Sequence, residues 1–422
     1  MSTLHIAKRV ADLKPSVTVA FMNRAKALKR AGKDVLSFAA GEPDFDTPNI
    51  IKDAAIASLK AGNTKYMPTL GDPESRAAIA KKLTEENHIP GCTPDHIAIS
   101  AGGKHSLFVA CHCLLDDPHY LPAGQKQQEV ILPVPAWVSY APIAELAGGK
   151  IVEVPTSPAN DFLPTAEQIK RAITPQSRLL ILNSPSNPCG TMYPPALLRE
   201  IAGVVGEAAR TIAPHLVVLS DEIYEKIAYG GIEHFSIGSV PEIAERVITL
   251  NGLSKAYSMT GWRIGYTGAS GEFGKKVINA MGVLQGQMST NITSFIYASI
   301  PVALTQAGAE VAKMRDAFAS RAERINTRLG AIPGVRNVKA TGAFYAFPDV
   351  SSFFGKTSRG GRKISAAMDM AEALLEEALV AMVPGEDFGG CGKNHLRISF
   401  ACSEAQIDAG CERLAKFLSE LQ

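Results

Sequence analysis

Residues 252–265 place a lysine and an arginine eight positions apart among small residues. A lysine held among apolar neighbours loses its proton more easily, and the neutral amine can form an imine with a carbonyl compound. An arginine can bind a phosphate through two parallel hydrogen bonds. A lysine is most often a solvated surface charge, but the many Gly and Ser residues around Lys255 weaken that interpretation. The segment therefore favours imine chemistry at Lys255 beside a phosphate bound by Arg263.

Two further polar side chains follow apolar runs that are typical of buried strands. Asp221 follows residues 216–219 after a single serine, and a carboxylate there is costly unless it meets a cation. A protonated pyridine nitrogen would be such a cation, while a metal ligand and a helix N-cap are competing interpretations. Asn187 lies in the stiff loop 183–190, where its amide could bind a ring hydroxyl or an oxyanion. An ordinary Asn-Pro turn is an equally good interpretation of that loop.

A glycine pair at Gly102 and Gly103 separates the apolar run 96–100 from a helical pattern at residues 106–115. Glycines let the backbone approach a ligand closely, and the N-terminus of a helix offers free N–H groups to a phosphate. A plain strand-to-helix turn is the alternative. The segment, which ends with Lys104, is a candidate second half of the phosphate site.

Short apolar runs alternate with helical patterns between about residues 95 and 270. This alternation is typical of an α/β protein with a mainly parallel central sheet and helices on both faces. Ligands of such sheets bind at the carboxyl ends of the strands, so the four polar segments above are expected to meet at one edge. The runs predicted as strands are residues 96–100, 129–132, 150–154, 179–182, 216–219 and 247–250.

The pattern changes after residue 305. A long charged helical pattern covers residues 307–329, strand-like segments cover 342–347 and 395–400, and a second helix is expected near 364–379. These elements predict a smaller α+β domain at residues 306–422, after a large domain at 49–305. Residues 1–48 are too few for a domain of their own and are expected to join the smaller one.

The composition argues against several classes of partner. Basic and acidic residues number 43 and 41, which gives no reason to expect nucleic acid or an anionic membrane as a partner. We find no run long and apolar enough to span a bilayer and no apolar core of a secretory signal. Seven cysteines, an odd number, predict reduced thiols and a cytoplasmic location. Cys111, His112 and Cys113 point to different sides of one helix, so we predict no metal site there.

Together the motifs resemble the class I aminotransferases of fold type I, which use pyridoxal 5′-phosphate (PLP). Residues 252–265 fit the lysine signature of that family at every constrained position. The bacterial aspartate aminotransferases that include prephenate-active members are the most similar subgroup. Other motifs follow the family's order and spacing across nearly the whole chain, at residues 41–45, 64–66, 102–104, 136–140, 183–188, 220–224 and 395–399.

The resemblance implies PLP as the cofactor and assigns a role to each matching residue. Lys255 would form the Schiff base and then move a proton between the substrate and the cofactor, while Asp221 would keep the pyridine nitrogen protonated. Asn187 and Tyr224 would hydrogen-bond the ring's 3′ oxygen, and Trp137 would stack on the ring face. The phosphate would be bound by Arg263, Gly103 and Lys104, and by Tyr66 of a second subunit. Sharing Tyr66 across an interface implies a homodimer.

The resemblance also implies where an amino acid and a 2-oxo acid would bind. Arg397 would bind the α-carboxylate, with the backbone of Gly41 nearby and with Trp137 and Asn187 also contacting the substrate. Classical dicarboxylate enzymes bind the distal carboxylate with an arginine from the second subunit, but residues 284–291 contain none. Lys104 and Lys14 are the candidates that the subgroup suggests instead.

Aspartate with 2-oxoglutarate is therefore the expected pair, and aromatic amino acids or prephenate are further candidate substrates. An aromatic-specific or alanine-type aminotransferase on the same scaffold is the nearest alternative. A PLP-dependent C–S lyase and a PLP-sensing regulator are more distant ones.

Two positions depart from the usual pattern of the family. Residues 117–128 are longer than the short turn that relatives have, and they predict an extended surface loop away from the chemistry. Gly252 stands where some relatives carry a phosphate-binding serine, so that contact is expected to be missing.

Overall fold

A computed structural model describes residues 4–13 and 17–422. No helix in these ranges is long and apolar enough to cross a membrane. The strands are β1 Leu36–Ser37, β2 Ile97–Ser100, β3 Glu129–Val134, β4 Lys150–Pro155, β5 Ser177–Asn183, β6 Val217–Asp221, β7 Val247–Gly252, β8 Gly265–Gly268, β9 Tyr345–Ala346, β10 Val380–Ala381, β11 Val383–Pro384 and β12 Leu396–Ser399. The α-helices are α1 Lys8–Ala11, α2 Val17–Arg30, α3 Asn49–Lys60, α4 Pro73–Glu85, α5 Gly103–Leu114, α6 Tyr140–Leu146, α7 Ala166–Ala172, α8 Pro195–Thr211, α9 Gly271–Gly286, α10 Ser299–Gln306, α11 Gly308–Gly330, α12 Ala367–Glu377 and α13 Glu404–Ser419.

The central sheet has seven strands in the order β2-β8-β7-β6-β5-β3-β4. Strands β3 to β7 pair in parallel, while β8 runs antiparallel to both of its neighbours, β2 and β7. The predicted mainly parallel sheet and its six predicted strands are confirmed. Strand β8 was missed because Gly265–Gly268 has only four residues, two of them glycine, and so shows no apolar run.

Helices cover both faces of this sheet, as predicted. Alternate residues of a strand point to opposite faces, and the two cores divide accordingly. Val130 and Leu132 of β3 pack in one core with α5, α6 and α9. Ile131, which lies between them, packs in the opposite core with α7 and α8. The near-continuous apolar runs follow from this burial on both sides.

The C-terminal elements form a separate core with part of the N-terminal segment. Phe21 and Phe38 pack with Phe318 of α11 and Leu374 of α12, and β1 pairs in parallel with β10. The expected strand at 342–347 is correct only for Tyr345–Ala346, because Ala343 has a left-handed φ of +55° that breaks the extended conformation. The domain boundaries at 48 and 305 stay predictions.

Residues 117–128 form a surface loop whose only helical part is the short 3-10 helix Pro118–Tyr120. Almost all of the loop is exposed. It therefore lies on the surface, as its sequence predicts.

A buried ionic cluster lies beside the segment that follows β6. Lys82 of α4 forms an ion pair with Glu225 and also donates to the Asn87 side chain, 2.6 Å away. The Asn87 amide donates to Glu222 at 2.9 Å and to Glu225 at 2.7 Å, and His234 lies 3.2 Å from Glu222. The Lys82 ammonium is the cation that Glu225 requires, and His234 lies beside Glu222, so the cluster is an ion-pair network that anchors the segment after Asp221.

We expect Lys82→Met to lower the free energy of unfolding by about 3–5 kcal/mol at pH 7, because it leaves a buried carboxylate without its cation. Burial alone would raise the pKa of Glu225, but Lys82 and its neighbours outweigh burial and lower it to about 2. A folded-state pKa below the unfolded value of 4.5 stabilises the fold above that value, and this stabilisation is lost as the pH falls towards 2. The variant and the wild type should therefore differ less at pH 3 than at pH 7.

Urea denaturation at both pH values measures this difference. Lys81→Met is the matched control, since its side chain is 66% exposed and its pair with Glu85 is a surface pair 4.0 Å long. The control should change stability by less than about 0.5 kcal/mol. Equal losses for the two variants would contradict the assigned role of the cluster.

Candidate active site

One cavity of about 260 Å³ at the carboxyl edge of the central sheet brings together ten of the twelve residues predicted to form the site. It lies where β5, β6 and β7 end and where α5 begins. The ten residues are Gly41, Gly103, Lys104, Trp137, Asn187, Asp221, Tyr224, Lys255, Arg263 and Arg397.

The other two predicted residues are not part of this cavity. Tyr66 is 89% exposed and does not line it. Lys14 lies outside the described residues. An exposed tyrosine is consistent with a role at a second subunit, which was the role expected of Tyr66.

Lys255 follows β7 and points into the centre of the cavity. Its ammonium group donates to the carbonyl oxygen of Gly41 at 2.5 Å and lies 6.0 Å from the ring centres of Tyr224 and Phe344. Burial lowers the pKa of Lys255 to about 8; the Arg397 charge acts in the same direction, and Glu42 opposes it. A useful fraction of the neutral amine is therefore present near neutral pH.

Asp221 ends β6 and is 8% exposed. The Tyr140 hydroxyl donates to one carboxylate oxygen at 2.7 Å, and the backbone N–H of Ile223 donates to the other at 3.2 Å. Burial raises the pKa of Asp221 to about 6 in spite of these donors. A turn follows the residue, so the helix N-cap interpretation is wrong. A cation facing this carboxylate would relieve the cost of its burial.

Tyr140 is a site residue to which the sequence analysis assigned no role. It begins α6 three positions after Trp137, and the two rings meet edge to face with centres 5.3 Å apart. The spacing of three, which brings side chains to the same side of a helical turn, was the available signal. Tyr140 thus links the aromatic wall of the cavity to Asp221.

The end of the cavity that is predicted to bind a phosphate combines a helix N-terminus with an arginine. Helix α5 begins at Gly103, and its first amides require acceptors from outside the helix. Arg263 donates to the Thr260 carbonyl at 2.9 Å. Its guanidinium lies so close to Gly102 that the Cβ of any other residue at position 102 would clash with Nη2. Gly102 also has a φ of +89°. Glycine is therefore required where Arg263 meets α5.

Gly252 is explained by the pairing of β7 with β8. A Cβ at this position would lie 2.7 Å from the Ile264 carbonyl oxygen and 3.0 Å from the Gly265 Cα. A serine would thus have to displace Ile264 and Gly265, which directly follow Arg263. Ser254, two residues later, does line the cavity and had no predicted role.

Arg397 on β12 forms the opposite end of the cavity and is 3% exposed. Its guanidinium donates to the carbonyl oxygen of Ala39 at 2.8 Å and to the Asn187 side chain at 3.2 Å, both of which are neutral. Nε has no hydrogen-bond partner in the described part of the chain. The rings of Tyr345 and Phe388 lie 4.9 and 5.2 Å from its Cζ. A buried cation with neutral partners favours a carboxylate ligand.

Asn187 is held in place by its loop. Its backbone N–H donates to the Asn183 side chain at 3.0 Å, and the Asn183 amide in turn donates to the Asp221 carbonyl at 3.0 Å. The Asn187 side chain faces the cavity and contacts Arg397. A binding role therefore explains this residue better than an ordinary turn does.

Comparisons with known proteins agree with this geometry. The family model for aminotransferase class I and II matches residues 33–414. The chain is 40% identical to an aspartate aminotransferase of Bacillus sp. (strain YM-2), over 98% of this chain and 99% of the relative. It is also 40% identical to an aspartate/prephenate aminotransferase of Thermus thermophilus, over 98% of both chains.

Solved structures support the same assignment and confirm the predicted fold class. The aspartate aminotransferase of Rhizobium meliloti superimposes with a TM-score of 0.91 at 36% identity, and the match covers 100% of both chains. The Thermus thermophilus aspartate aminotransferase with maleate gives a TM-score of 0.87 at 38% identity, over 98% of this chain and 100% of the other. On the family match, the relatives and the fold, this chain belongs to the class I and II aminotransferases.

Proposed function

We propose that this protein uses PLP to transfer the amino group of an L-amino acid, aspartate before others, to 2-oxoglutarate. The observation that carries the proposal is the placing of three different binding groups around Lys255 in one cavity. Arg263 and the N-terminus of α5 form an anion site on one side, Asp221 forms a carboxylate site at the sheet edge, and Arg397 forms a second anion site. PLP has a phosphate and a basic ring nitrogen, and an amino acid brings the second carboxylate.

The residues present fit PLP in chemical type. The desolvated carboxylate of Asp221 suits a protonated ring nitrogen, and the Tyr224 hydroxyl and the Asn187 amide suit the ring oxygen. Trp137 offers an apolar face for the ring. When it is bound, PLP supplies an electron sink that stabilises negative charge on the substrate's Cα.

Lys255 is the group that we assign to proton transfer. Its lowered pKa, about 8, keeps it able both to accept and to return a proton near neutral pH. The Gly41 carbonyl holds the amine 2.5 Å away and so fixes its position when the amine is free. Glu42, the next residue, favours the protonated form and keeps the pKa from falling further.

Arg397 positions the substrate through its α-carboxylate. Its Nε has no hydrogen-bond partner among the described residues, and its two hydrogen bonds go to neutral acceptors. The positive charge of Arg397 is therefore not balanced by a carboxylate of the chain, and a bidentate hydrogen bond to the substrate carboxylate would balance it. The rings of Tyr345 and Phe388 lie close to the guanidinium and restrict its orientation, so the carboxylate is oriented as well as bound.

Lys104 is the residue that we propose for the distal carboxylate. Its side chain is exposed at the mouth of the cavity, and its ammonium lies 5.0 Å from the centre of the Trp137 ring. Partial desolvation, followed by the charge of Arg263, lowers the pKa of Lys104. A flexible lysine can bind a carboxylate and swing away for an uncharged ring. Lys14 is proposed for the same carboxylate from the resemblance alone.

A second cavity of about 640 Å³ adjoins the first and supports the proposal of further, aromatic substrates. It shares Lys104, Trp137 and Arg397 with the first cavity, and Val134 and Phe388 add apolar surface. An aromatic side chain attached to a carboxylate on Arg397 therefore has room and apolar contact there.

We expect Lys104→Ala to raise the KM for aspartate about 10- to 100-fold, because a hydrogen bond to a charged group is worth about 1.5–3 kcal/mol. The KM for phenylalanine, which has no second carboxylate, should change less than about threefold. Steady-state kinetics with both donors measure the difference. Lys170→Ala, an exposed lysine paired with Glu207, is the control and should leave both values unchanged. Equal effects of Lys104→Ala on both donors would refute the role.

A donor panel tests the proposed reaction as a whole. The purified protein is incubated with PLP, 2-oxoglutarate and each of aspartate, phenylalanine, tyrosine, alanine and cysteine, and the donors are ranked by kcat/KM. Aspartate should rank first, and glutamate should form in equal amounts with the new oxo acid. Pyruvate released from cysteine without any oxo-acid acceptor would favour a C–S lyase. A panel led by alanine would favour an alanine-type aminotransferase, and one led by phenylalanine or tyrosine would favour an aromatic-specific aminotransferase.

We propose a homodimer, supported by surface features of the single chain. Tyr66 is 89% exposed, and the apolar side chains Ile56, Leu59, Val283 and Met288 are exposed as well. These exposed apolar side chains are candidates for burial in an interface between two copies of the chain. A cytoplasmic location is supported by the seven cysteines, which are all free thiols.

A further inference from the structure

Tyr345 is a cavity residue to which the sequence motifs assign no function. It lies on β9, is 1% exposed and lines the same cavity as Lys255. Its hydroxyl oxygen is 2.8 Å from that of Tyr224, and its ring centre is 4.9 Å from the Cζ of Arg397. One side chain thus contacts both a proposed cofactor ligand and the proposed carboxylate ligand.

We propose that Tyr345 is a positioning residue that fixes the donor direction of the Tyr224 hydroxyl and the plane of the Arg397 guanidinium. The inference rests on the proposed function, because it requires Tyr224 to donate to the ring oxygen of PLP. Tyr345 would in this way link the proposed cofactor contact of Tyr224 to the proposed carboxylate site of Arg397.

The direction of the hydroxyl pair follows from counting protons. A phenol has one proton to donate and two lone pairs that accept. If Tyr224 gives its proton to the ring oxygen, the short contact with Tyr345 must be a bond in which Tyr345 donates. Burial raises the pKa of Tyr345, with Arg397 opposing, so the hydroxyl keeps its proton. Bonds in such a chain polarise one another, and the donor to the cofactor becomes stronger.

The Tyr345 hydroxyl also lies close to Gly41, whose backbone holds Lys255. A Cβ at Gly41 would lie 2.8 Å from the Tyr345 oxygen, so this approach is open only to glycine. The same Gly41 accepts the hydrogen bond from Lys255. The titratable or charged groups around the hydroxyl are therefore Tyr224, Lys255 and Arg397, and of these Tyr224 is its hydrogen-bond partner.

The ring of Tyr345 acts separately from its hydroxyl. It packs against one face of the Arg397 guanidinium, and Phe388 packs from 5.2 Å away. Phenylalanine at position 345 would keep this face and lose only the hydroxyl. Leucine would lose both, so two substitutions separate the two effects.

The test uses the PLP-loaded protein and reads the absorbance of the bound cofactor as the pH is varied. A hydroxyl that donates to the ring oxygen favours the ionised oxygen and so lowers the pKa of the chromophore. Tyr345→Phe should therefore raise that pKa by roughly half a unit to one unit, with little change in the KM for aspartate. Tyr345→Leu should give the same shift and also raise the KM for both aspartate and phenylalanine roughly three- to tenfold.

Tyr229→Phe is the matched control. The Tyr229 hydroxyl shares its one proton between the carbonyl oxygens of Ala343 and Gly342, close in sequence to Tyr345, and Tyr229 does not line the cavity. Tyr229→Phe removes a comparable hydroxyl and should leave the chromophore pKa at the wild-type value. Thermal unfolding of all three variants checks that they fold.

The possible results separate the two proposals. A Tyr345→Phe titration equal to that of the wild type and of Tyr229→Phe overturns the positioning role, whatever the activity. A Tyr345→Leu variant with unchanged KM values overturns the part assigned to Arg397. A wild-type protein that binds PLP but does not transaminate aspartate overturns the proposed substrate and leaves the titration result to decide on Tyr345.

Discussion

Lys255→Ala is expected to lower kcat/KM for aspartate by at least about 10⁴-fold, to near the background of free PLP. Two losses combine: the amine that bonds to the cofactor and the group that transfers the proton, and proton transfer alone is worth about 10²–10⁴-fold. Other lysines of the chain cannot substitute readily. Lys104, the other lysine of the cavity, lies at its mouth against Trp137.

PLP binding itself should survive the substitution. If PLP binds as proposed, Arg263, the α5 N-terminus and Asp221 would contact different parts of the cofactor, and these contacts would not depend on the lysine. We expect equilibrium dialysis to detect PLP bound to Lys255→Ala. Borohydride should fix PLP covalently to the wild type only, and peptide mapping should locate it at Lys255.

Lys275→Ala serves as the control for a general loss of positive charge. This side chain is 44% exposed and pairs with Asp95, away from the cavity. It should retain wild-type turnover and trapping at Lys255. Trapping of PLP on another lysine, or turnover by Lys255→Ala within tenfold of the wild type, would contradict the assignment.

The location of the site was predictable because it depends on strand ends. Leu219 and Leu250 belong to runs that are buried on both faces, and such runs are recognised by composition alone. Once these runs are strands of a parallel sheet, Asp221 and Lys255 must lie at the same edge. The geometry of the sheet thus converts positions far apart in sequence into neighbours.

The contacts that tune the site were not predictable in the same way. Tyr345 meets Tyr224 across 121 positions of sequence, and its own segment reads only as an apolar strand. Whether its hydroxyl faces the cavity depends on how the C-terminal core packs against the sheet. Lys82 and Glu225 are likewise 143 positions apart, and each looks like a surface charge in isolation. Sequence patterns indicate burial and period, but the pairing of side chains is settled by packing.

Asp221→Asn is expected to lower kcat about 10²–10⁴-fold in the PLP-loaded protein. Asparagine has nearly the same shape and can still accept from Tyr140, but it removes the negative charge that would hold the ring nitrogen protonated. Loss of one partner of a buried ion pair costs about 3–5 kcal/mol, which corresponds to that range of rates when it falls on the transition state. Tyr140→Phe, which keeps the charge and removes one donor, should lose no more than about tenfold.

Asp221→Asn should stabilise the protein when PLP is absent. Burial raises the folded-state pKa of Asp221 from 3.8 to about 6, so the folded state holds its proton more tightly than the unfolded chain. A raised folded-state pKa stabilises the fold below 3.8, and this stabilisation is lost as the pH rises through about 6. At pH 7 the wild type therefore carries a buried charge that Asp221→Asn removes, with a gain of about 1–3 kcal/mol.

PLP should reverse the order of the two proteins, because the ring nitrogen supplies the cation that Asp221 lacks. Thermal unfolding at pH 7 tests this, and the increase in Tm on adding PLP should be larger for the wild type than for Asp221→Asn. At pH 4, where the apo carboxyl is protonated, the two apo proteins should melt close together. A PLP-induced increase of the same size in both proteins would mean that Asp221 does not face the ring nitrogen. Activity and apo stability that fall together would mean that its charge has a structural partner. At pH 7, Asp221→Asn is expected to lower activity with PLP and to raise stability without it. These opposite effects distinguish a carboxylate that binds a ligand from one that stabilises the fold.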